Sequence, residues 1–542
     1  MSICKGAIMT ITKTVIGVDV GSGSVRAGIF DLNGSLLSHA TEKITTTRRS
    51  GSRVEQSSQE IWQAVCSCIR NALTLADVCA QSVAGIGFDA TCSLVVLDKN
   101  GDPLPVSPEG DAKQNIIVWM DHRATEQAER INATHHPVLN YVGGKISPEM
   151  ETPKILWLKE NMPEIYERAG QFFDLADFLT WRATGDLARS VCTVTCKWTW
   201  LAHENRWDPD YFRTIGLAEL ADEDFIRIGH HIVSPGTPCG NGLTAQAAAE
   251  MGLLPGTPVA VGLIDAHAGG IGTVGVEGGA LNNLAYVFGT SSCTMASTTS
   301  PSFVPGVWGP YYSAMVPGLW LVEGGQSAAG AAIDQLLDFH PAVEEAREMA
   351  QRVNQPLPVW LADRILEKTA QPSDAVALAK GLHVVPEFLG NRAPFADPHA
   401  RAVICGLGME RDLDNLLALY IAGLCGIGYG LRQILDAQTA QGVVSKNIVI
   451  SGGAGQHPLV RQILADTCGI PVITTQCCEP VLLGSAILGA VAGNIAPSVG
   501  EAMQQFTHVD KYYYPQERYQ SLHHRRYEAY KQLQHTAKLL RD

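Results

Sequence analysis

Asp19 stands where an apolar run meets a turn of small residues, in the stretch GVDVGSGSVRAGIFD at 17–31. The turn consists of Gly21, Ser22, Gly23 and Ser24. Consecutive backbone N–H groups in such a turn can bind an anion, and an adjacent carboxylate can hold Mg²⁺ through water. The pattern is typical of a phosphate-binding turn, although an ordinary Gly/Ser hairpin fits the same letters.

The residues after this turn exclude two common nucleotide motifs. The motif G-x-G-x-x-G requires glycine at position 26, which is Arg26, and the following segment has the pattern of a strand rather than a helix. The motif G-x-x-x-x-G-K-[ST] occurs nowhere in the chain. What remains is a strand–turn–strand unit with an aspartate at the end of its first strand.

Two further glycine turns lie in the second half of the chain. FGTSS at 288–292 combines glycine, for close approach, with Thr and Ser hydroxyls and amides. SGGAG at 451–455 is a strand-to-helix turn suited to a base and ribose. Three such turns on two halves of one chain indicate a nucleotide held between two domains. Kinases need this arrangement because phosphoryl transfer depends on positioning and on exclusion of water.

The elements that must position these turns follow from the hydrophobic pattern. TVIGVDVG and VRAGIFD predict paired strands, and Ser57 three residues before Glu60 predicts a helix start. Residues 123–230 are richer in helix signals and read as an insertion. The strand pattern restarts with PVAVGLIDAHAGGIGTVG at 258–275. We therefore expect two related α/β domains with a boundary near 260–270.

Composition limits the class of protein. A chain of 542 residues is too long for one ordinary core, and its net charge of −14 argues against a nucleic-acid partner. No apolar run is expected to reach the ~20 residues of a membrane span. The 14 cysteines contain no C-x-x-C pair, which favours buried free thiols in a reducing compartment. These features predict a cytoplasmic protein with no membrane partner.

Taken together, the motifs resemble those of the FGGY carbohydrate kinases over nearly the whole chain, within the ribulokinase-type group. The resemblance rests on GVDVGSGSVRAGIFD, GFDATCSLVVLD, VWMDHRA, GLIDAHAGG, FGTSSC, EGGQSAAG and SGGAGQHPLVRQILAD. It implies an α/β fold of two ribonuclease H-like domains, of the actin and hexokinase type, flanking a cleft for ATP-Mg²⁺ and a sugar. The corresponding domains are 1–265, which carries the sugar site and first phosphate turn, 266–510, which binds the nucleotide, and a helical tail at 511–542.

The resemblance also assigns roles to single residues. Asp265 matches the general base that takes a proton from the substrate hydroxyl, although an aspartate capping a helix is the structural alternative. Asp19 matches the aspartate that orients Mg²⁺, through water. The remaining nucleotide contacts are expected from Gly21, Ser22, Gly23, Ser24, Gly289, Thr290, Ser291, Gly325, Gly452, Gly453, Ala454 and Gln456. Gln456 and His457 stand where many relatives have Asn or Ser, which leaves the adenine contacts open.

Sugar contacts are implied at six further positions beside Asp265 itself. Ala90 and Thr91 fall where the sugar of the family usually passes. Asp121 and Arg123 either contact sugar hydroxyls or form a structural ion pair. Lys197 and Glu323 fall where L-ribulokinase carries a lysine near the ketose and a glutamate, whereas surface amphipathy is the alternative for Lys197.

These assignments predict an ATP-dependent kinase that converts D-ribulose into D-ribulose 5-phosphate, with ATP and Mg²⁺ as cofactors. A kinase for xylulose, L-ribulose or a pentitol such as ribitol is the alternative within the family. An actin-fold ATPase module that drives a partner is the alternative from another class. A homodimer is the family-based expectation for oligomeric state.

Overall fold

The computed structural model describes residues 12–111 and 113–541. They form two compact units. The first contains the described residues up to Gly272 together with Tyr311–Gly318 and Cys477–Thr507. The second contains Thr273–Pro310, Leu319–Gln476 and the described residues from His508 onward.

The strands are, in chain order, β1 (Thr14–Val20), β2 (Ser24–Phe30), β3 (Leu36–Lys43), β4 (Thr47–Arg49), β5 (Arg53–Gln56), β6 (Val83–Ala90), β7 (Leu94–Asp98), β8 (Ile116–Ile117), β9 (Ala169–Asp174), β10 (Arg189–Ser190), β11 (Ile232–Val233), β12 (Leu263–Ile264), β13 (Asn283–Phe288), β14 (Ser292–Thr298), β15 (Trp308–Tyr312), β16 (Trp320–Gln326), β17 (His383–Val385), β18 (Val403–Cys405), β19 (Asn447–Ser451), β20 (Val472–Thr475) and β21 (Val509–Tyr513).

The α-helices are α1 (Ser58–Ala76), α2 (Thr125–Ala133), α3 (Glu151–Asn161), α4 (Pro163–Arg168), α5 (Leu175–Thr184), α6 (Val191–Lys197), α7 (Pro209–Thr214), α8 (Ala218–Asp222), α9 (Ala245–Met251), α10 (Asp265–Val274), α11 (Gly330–Asp338), α12 (Val343–Arg352), α13 (Leu357–Lys368), α14 (Leu413–Ala440), α15 (Pro458–Cys468), α16 (Pro480–Ala492), α17 (Val499–Phe506) and α18 (Glu517–Arg541). Short 3₁₀ turns cover Ala80–Ser82, Pro137–Val142, Pro372–Ala379 and Gly453–Gly455.

The first unit is built on a five-stranded sheet in the order β12-β6-β1-β2-β3. β1 pairs antiparallel with β2 but parallel with β6, and β12 also pairs parallel with β6. Strand β2 directly follows the glycine turn, in agreement with the predicted strand–turn–strand unit. The Ser57 hydroxyl accepts the Glu60 amide at 3.3 Å and begins α1, as its position predicts.

The second unit repeats this topology. Its sheet contains the run β16-β14-β13-β19-β20, followed by β21. β13 pairs antiparallel with β14 and parallel with β19, and β19 pairs parallel with β20. Strand order and direction are therefore those of β3-β2-β1-β6-β12. This match explains why FGTSS resembles the opening turn in kind although not in letters.

Helix α16 belongs to the first unit, although it comes late in the chain. It packs so closely on β1 and β6 that a Cβ on Gly17 would lie 2.0 Å from the Leu482 carbonyl oxygen, and one on Gly87 1.8 Å from that of Ser485. The observed division therefore differs from the predicted ranges 1–265 and 266–510. The apolar letters of α16 predict burial, but burial alone does not specify which sheet the helix covers.

The predicted tail 511–542 does not form a separate part. Strand β21 pairs with β20, and α18 buries His523, Arg526, Tyr527 and Tyr530 in the second unit. Among the described residues, α14 is long and apolar enough to cross a membrane, with mean hydropathy 1.3. The expectation that no run reaches that length is wrong for this helix, but 83% of the window is buried, as in a core helix.

Candidate active site

Three aspartates lie at the carboxyl ends of three neighbouring parallel strands in the first unit. Asp19 on β1 is directly opposite Asp89 on β6. Leu263 of β12 is opposite Asp89, and Asp265 follows two residues later as the first residue of α10. Because the carboxyl ends of parallel strands share one edge of a sheet, this edge gathers three carboxyl groups. Ligands of open α/β sheets bind at this edge.

Burial disfavours the ionised form of two of these groups, Asp89 and Asp265. Burial and the neighbouring Asp19 raise the pKa of Asp89 well above its ordinary value. Burial and Asp19 also raise the pKa of Asp265 to about 6, against the lowering effects of the Ala266 amide, His267 and Lys197. The Asp265 carboxylate accepts the Ala266 N–H at 2.7 Å. Carboxyl groups with raised pKa values in such a cluster are candidates for acid–base work.

Arg26 supplies the positive charge beside this cluster. It lies opposite Asp19 in the β1–β2 pair, and its Nε donates to the Asp19 Oδ2 at 2.9 Å. Its Nη1 donates to Glu479 at 2.5 Å. The residue that excludes the dinucleotide motif therefore holds the Asp19 carboxylate in place.

The turn between β1 and β2 is fixed from three sides. The Ser22 carbonyl accepts hydrogen bonds from the Thr46 hydroxyl and the Gln56 amide, both at 2.7 Å. The Trp119 indole donates to the Ser22 hydroxyl at 2.9 Å. A Cβ on Gly23 would meet nothing within 4 Å, and this residue is exposed. The turn is thus rigid at Ser22 and open at Gly23, which suits the approach of a ligand.

Lys197 ends α6 and is half-buried, not on an open surface. Its charge lowers the pKa values of both Asp265 and the buried Glu151. Ala90 and Thr91 are buried at the end of β6, where the Thr91 hydroxyl bonds Ser93 at 3.1 Å. The structure therefore brings Lys197 near the base candidate and places Ala90 and Thr91 just beyond Asp89.

Asp121 and Arg123 form a buried network with one another. Arg123 donates through Nε to Asp121 Oδ1 at 2.9 Å and through Nη2 to Glu55 at 3.0 Å. Asp121 also accepts the Val54 amide at 2.6 Å, and the guanidinium lies 4.9 Å from the Trp157 ring centroid. These contacts favour the structural ion pair over a sugar contact, so neither residue enters our proposal.

Two residues of this region, Asp89 and Glu151, were not predicted from the sequence. Asp89 could have been found from a repeated pattern, since Gly87-Phe88-Asp89 pairs in register with Gly17-Val18-Asp19. Glu151 had no such signal. It is buried, and its Oε2 lies 3.5 Å from Lys154 Nζ. Burial raises the pKa of Glu151 to about 7, which Lys154 and Lys197 oppose. Glu151 is thus a buried carboxyl group within electrostatic range of Lys197.

The second and third of the predicted nucleotide turns meet within the second unit. The turn Gly289-Thr290-Ser291 joins β13 to β14, and the Gly289 carbonyl accepts the Gly330 amide at 2.9 Å at the start of α11. A Cβ on Gly330 would lie 2.8 Å from that carbonyl and 3.4 Å from the Ala454 Cβ. FGTSS, EGGQSAAG and SGGAG therefore converge on one point.

The third turn requires glycine at its first position. Gly452 has φ +94°, and a Cβ there would lie 2.5 Å from the Phe288 carbonyl oxygen. Gly453 and Gln456 are exposed beside it, whereas Ala454 is half-buried. His457 caps α15 through Leu459 and lies 3.2 Å from Asp363 Oδ1. His457 thus has a structural role, and Gln456 stays the candidate for a base contact.

Glu323 and Gly325 lie on β16 of the same unit. Glu323 is half-buried and opposite Met295, and Gly325 is opposite Cys293. The neighbouring Gln326 side chain accepts from the Ser292 hydroxyl at 3.0 Å and donates to the Ile427 carbonyl at 3.0 Å. This network ties β16 to the end of the second phosphate turn.

Family models match both halves of this arrangement. The N-terminal domain of the FGGY family of carbohydrate kinases matches residues 14–272, and its C-terminal domain matches residues 284–493. The chain belongs to the FGGY family of carbohydrate kinases. The resemblance noted in the sequence is therefore confirmed, and this FGGY kinase is a phosphotransferase acting on a sugar.

Relatives of this FGGY kinase support the same conclusion. A human protein named FGGY carbohydrate kinase domain-containing protein is 45% identical over 96% of this chain and 95% of its own length. A D-ribulokinase from Saccharomyces cerevisiae is 38% identical over 89% of this chain and 72% of its own. The crystal structure of xylulose kinase from Rhodospirillum rubrum aligns with TM-score 0.79 and 19% identity, covering 97% of this chain and 99% of that one. This likeness confirms the α/β fold.

Proposed function

We propose that this FGGY kinase transfers a phosphoryl group from ATP to D-ribulose, giving D-ribulose 5-phosphate. The observation that carries the proposal is Asp265, a carboxyl group with raised pKa at the sheet edge, next to Asp19 and within the influence of Lys197. The choice of D-ribulose is supported by the identity to the yeast D-ribulokinase.

The free thiols of all thirteen described cysteines support a reducing, cytoplasmic location.

Asp265 acts as general base in this proposal. Its carboxylate takes the proton of the sugar hydroxyl as that oxygen attacks the γ-phosphorus of ATP. A pKa near the working pH is useful here, because a base with a very low pKa has little affinity for the proton. The Ala266 amide orients the carboxylate by its hydrogen bond at 2.7 Å.

The first unit also fits a magnesium ion. Asp19 and Asp89 offer the hard oxygen ligands that Mg²⁺ prefers, and Asp89 Oδ1 is buried without a hydrogen-bond partner. Asp19 would hold the ion through water, and Asp89 would contribute a second carboxyl oxygen. A bound Mg²⁺ would neutralise charge on the transferred phosphoryl group. In the second unit, the turns at Gly289 and Gly452 would receive the nucleotide.

Lys197 provides the selectivity for a ketose. An ammonium group near the base can donate a hydrogen bond to a keto oxygen, whereas a pentitol carries a hydroxyl group in place of that carbonyl. Lys197 lies within electrostatic range of the buried Glu151, which Lys154 also pairs with at 3.5 Å. Ketoses should therefore gain more from Lys197 than ribitol does.

The dependence of activity on pH should report Asp265. The base works only when ionised, so with a pKa of about 6 the value of kcat/KM should be level above that pH. Below it, kcat/KM should fall about tenfold per pH unit, because the carboxyl group is then protonated. Initial rates between pH 5 and 8, with fluorescence checks of folding, measure this. A level profile down to pH 5 in folded protein would contradict the assignment.

A sugar panel tests the function as a whole. ADP release is measured with MgATP and D-ribulose, D-xylulose, L-ribulose, ribitol or no sugar. We expect D-ribulose to give the highest kcat/KM, at least about tenfold above the others, which corresponds to about 1.4 kcal/mol of transition-state discrimination. A higher value for another sugar would overturn the substrate, and equal ADP release without sugar would indicate an ATPase.

The variant Lys197→Met tests the proposed contact between Lys197 and the keto oxygen. Its KM for D-ribulose should rise at least about tenfold, the loss of one hydrogen bond to a charged group, while ribitol phosphorylation changes little. Lys145→Met, at an exposed lysine, is the control. Equal effects of the substitution on the KM values for D-ribulose and ribitol would contradict the proposed contact with the carbonyl group.

A further inference from the structure

Two cysteines and a histidine form a cluster that the kinase reaction does not use. Cys192 and Cys196 lie on α6, and His267 lies in the first turn of α10. All three are buried, and one ligand atom from each lies within 4.8 Å of the other two. The Cys192 Sγ and His267 Nδ1 are 3.0 Å apart. Three soft or borderline ligand atoms thus converge in the interior of the first unit.

Contacts between α6 and the region of β12 hold this cluster together. Cys192 and Cys196 are four residues apart on a helix, so their side chains share one face. Ser190 caps α6 and its hydroxyl donates to the Gly262 carbonyl at 2.7 Å, which ties the helix start to the strand before His267. The Ile264 amide donates to the Cys192 Sγ at 3.5 Å. The cluster therefore rests on contacts around β12 and not on a mobile loop.

Cys192 differs from other buried cysteines of this unit. Burial, with smaller effects of nearby carboxylates, raises the pKa of Cys68 to about 12 and that of Cys239 likewise to about 12. Cys192 instead has the Cys196 thiol and the His267 imidazole beside it, with the three ligand atoms within 4.8 Å of one another.

We propose that Cys192, Cys196 and His267 bind one divalent cation of the zinc class. Thiolate and imidazole ligands select such ions over Mg²⁺ or Ca²⁺. In a tetrahedral site with Zn–S of about 2.3 Å and Zn–N of about 2.0 Å, a sulfur and a nitrogen ligand lie about 3.5 Å apart. Cys192 Sγ and His267 Nδ1, which are 3.0 Å apart, would therefore separate by about half an ångström on binding. Water fills the fourth position. Binding releases the thiol protons, which pass to solvent.

The ion would act on the active site by positioning. Lys197 directly follows Cys196, and Asp265 comes two residues before His267. An ion bound by all three ligands links α6 to α10 and thereby fixes the spacing of Lys197 and Asp265. The ligands themselves take no part in phosphoryl transfer. This inference does not depend on which sugar is the substrate.

Metal titration of the full chain tests the site. The protein is stripped with a chelator, and Cd²⁺ is added while the thiolate-to-metal charge-transfer absorption is recorded. We expect the absorption to saturate at one equivalent, and competition with Zn²⁺ to remove it. Mass spectrometry of the metal content should find one Zn²⁺ per chain after reconstitution and desalting.

Variants locate the site. Cys192→Ser and Cys196→Ser should each weaken Cd²⁺ binding at least hundredfold, and His267→Gln should weaken it while keeping part of the thiolate band. Cys68→Ser, at a buried cysteine outside the cluster, is the matched control and should bind as the wild type does. If Cys192→Ser does not fold, Cys196→Ser and the wild-type titration decide. Absence of a stoichiometric band, or an unchanged band in Cys196→Ser, would overturn the proposal.

Discussion

Replacing Asp265 by asparagine is expected to lower kcat about a thousandfold, the usual contribution of a general base. Asparagine keeps the shape of the side chain and an oxygen that can accept the Ala266 amide, so the start of α10 is preserved. It cannot take up the proton of the attacking hydroxyl. The measurement is ADP release at saturating sugar and MgATP, with KM determined for both substrates. KM should change little, because the lost interaction forms mainly in the transition state.

The control is Asp222→Asn. Asp222 is an exposed carboxylate of the same unit, paired with Arg213 at 2.9 Å, and its replacement should leave kcat within twofold. Thermal unfolding of both variants should match that of the wild type. Turnover of Asp265→Asn within threefold of the wild type would show that another group, or water, accepts the proton.

Replacing Gly87 by alanine is expected to unfold or strongly destabilise the first unit. The new Cβ would lie 1.8 Å from the Ser485 carbonyl oxygen and 3.1 Å from the Gly489 amide nitrogen, both in the backbone of α16. A backbone atom cannot move aside as a flexible side chain can, so the whole helix must shift away from β6. The loss should be about 3 kcal/mol or more, or roughly 10 °C in Tm. The same shift would disrupt the hydrogen bond from Ser485 to Asp89.

Gly500→Ala provides the matched control. Gly500 lies in the first turn of α17, in the same unit, and a Cβ there would meet only the Ser498 hydroxyl oxygen at 4.0 Å. Its Tm should stay the same or rise slightly, because alanine favours the helix. Thermal unfolding followed by circular dichroism compares the two. An unchanged Tm in Gly87→Ala would show that α16 packs less closely on the sheet than described.

The glycine turns and the position of Asp265 at a strand end were predictable because each is a local feature. Glycine and serine between two β-branched runs specify a turn in either half of the chain, and Asp265 ends a short apolar strand. Asp89 was harder to predict from the sequence. Its neighbours match those of Asp19 only at the isoleucine and glycine that come three and two residues before each aspartate, and the parallel register of β1 and β6 shows that the two aspartates are equivalent.

The sequence by itself determined the family, the two strand–turn–strand units and the residues of the phosphate turns. These depend on short-range patterns that can be recognised without knowing which elements pack against one another. Tertiary structure alone decided that Asp121 and Arg123 satisfy each other in the interior. It also placed α16 on the first sheet and brought Cys192 and Cys196 to His267, about seventy residues away. Such outcomes depend on which buried surfaces meet, and amino-acid patterns specify that a surface is buried but not what covers it.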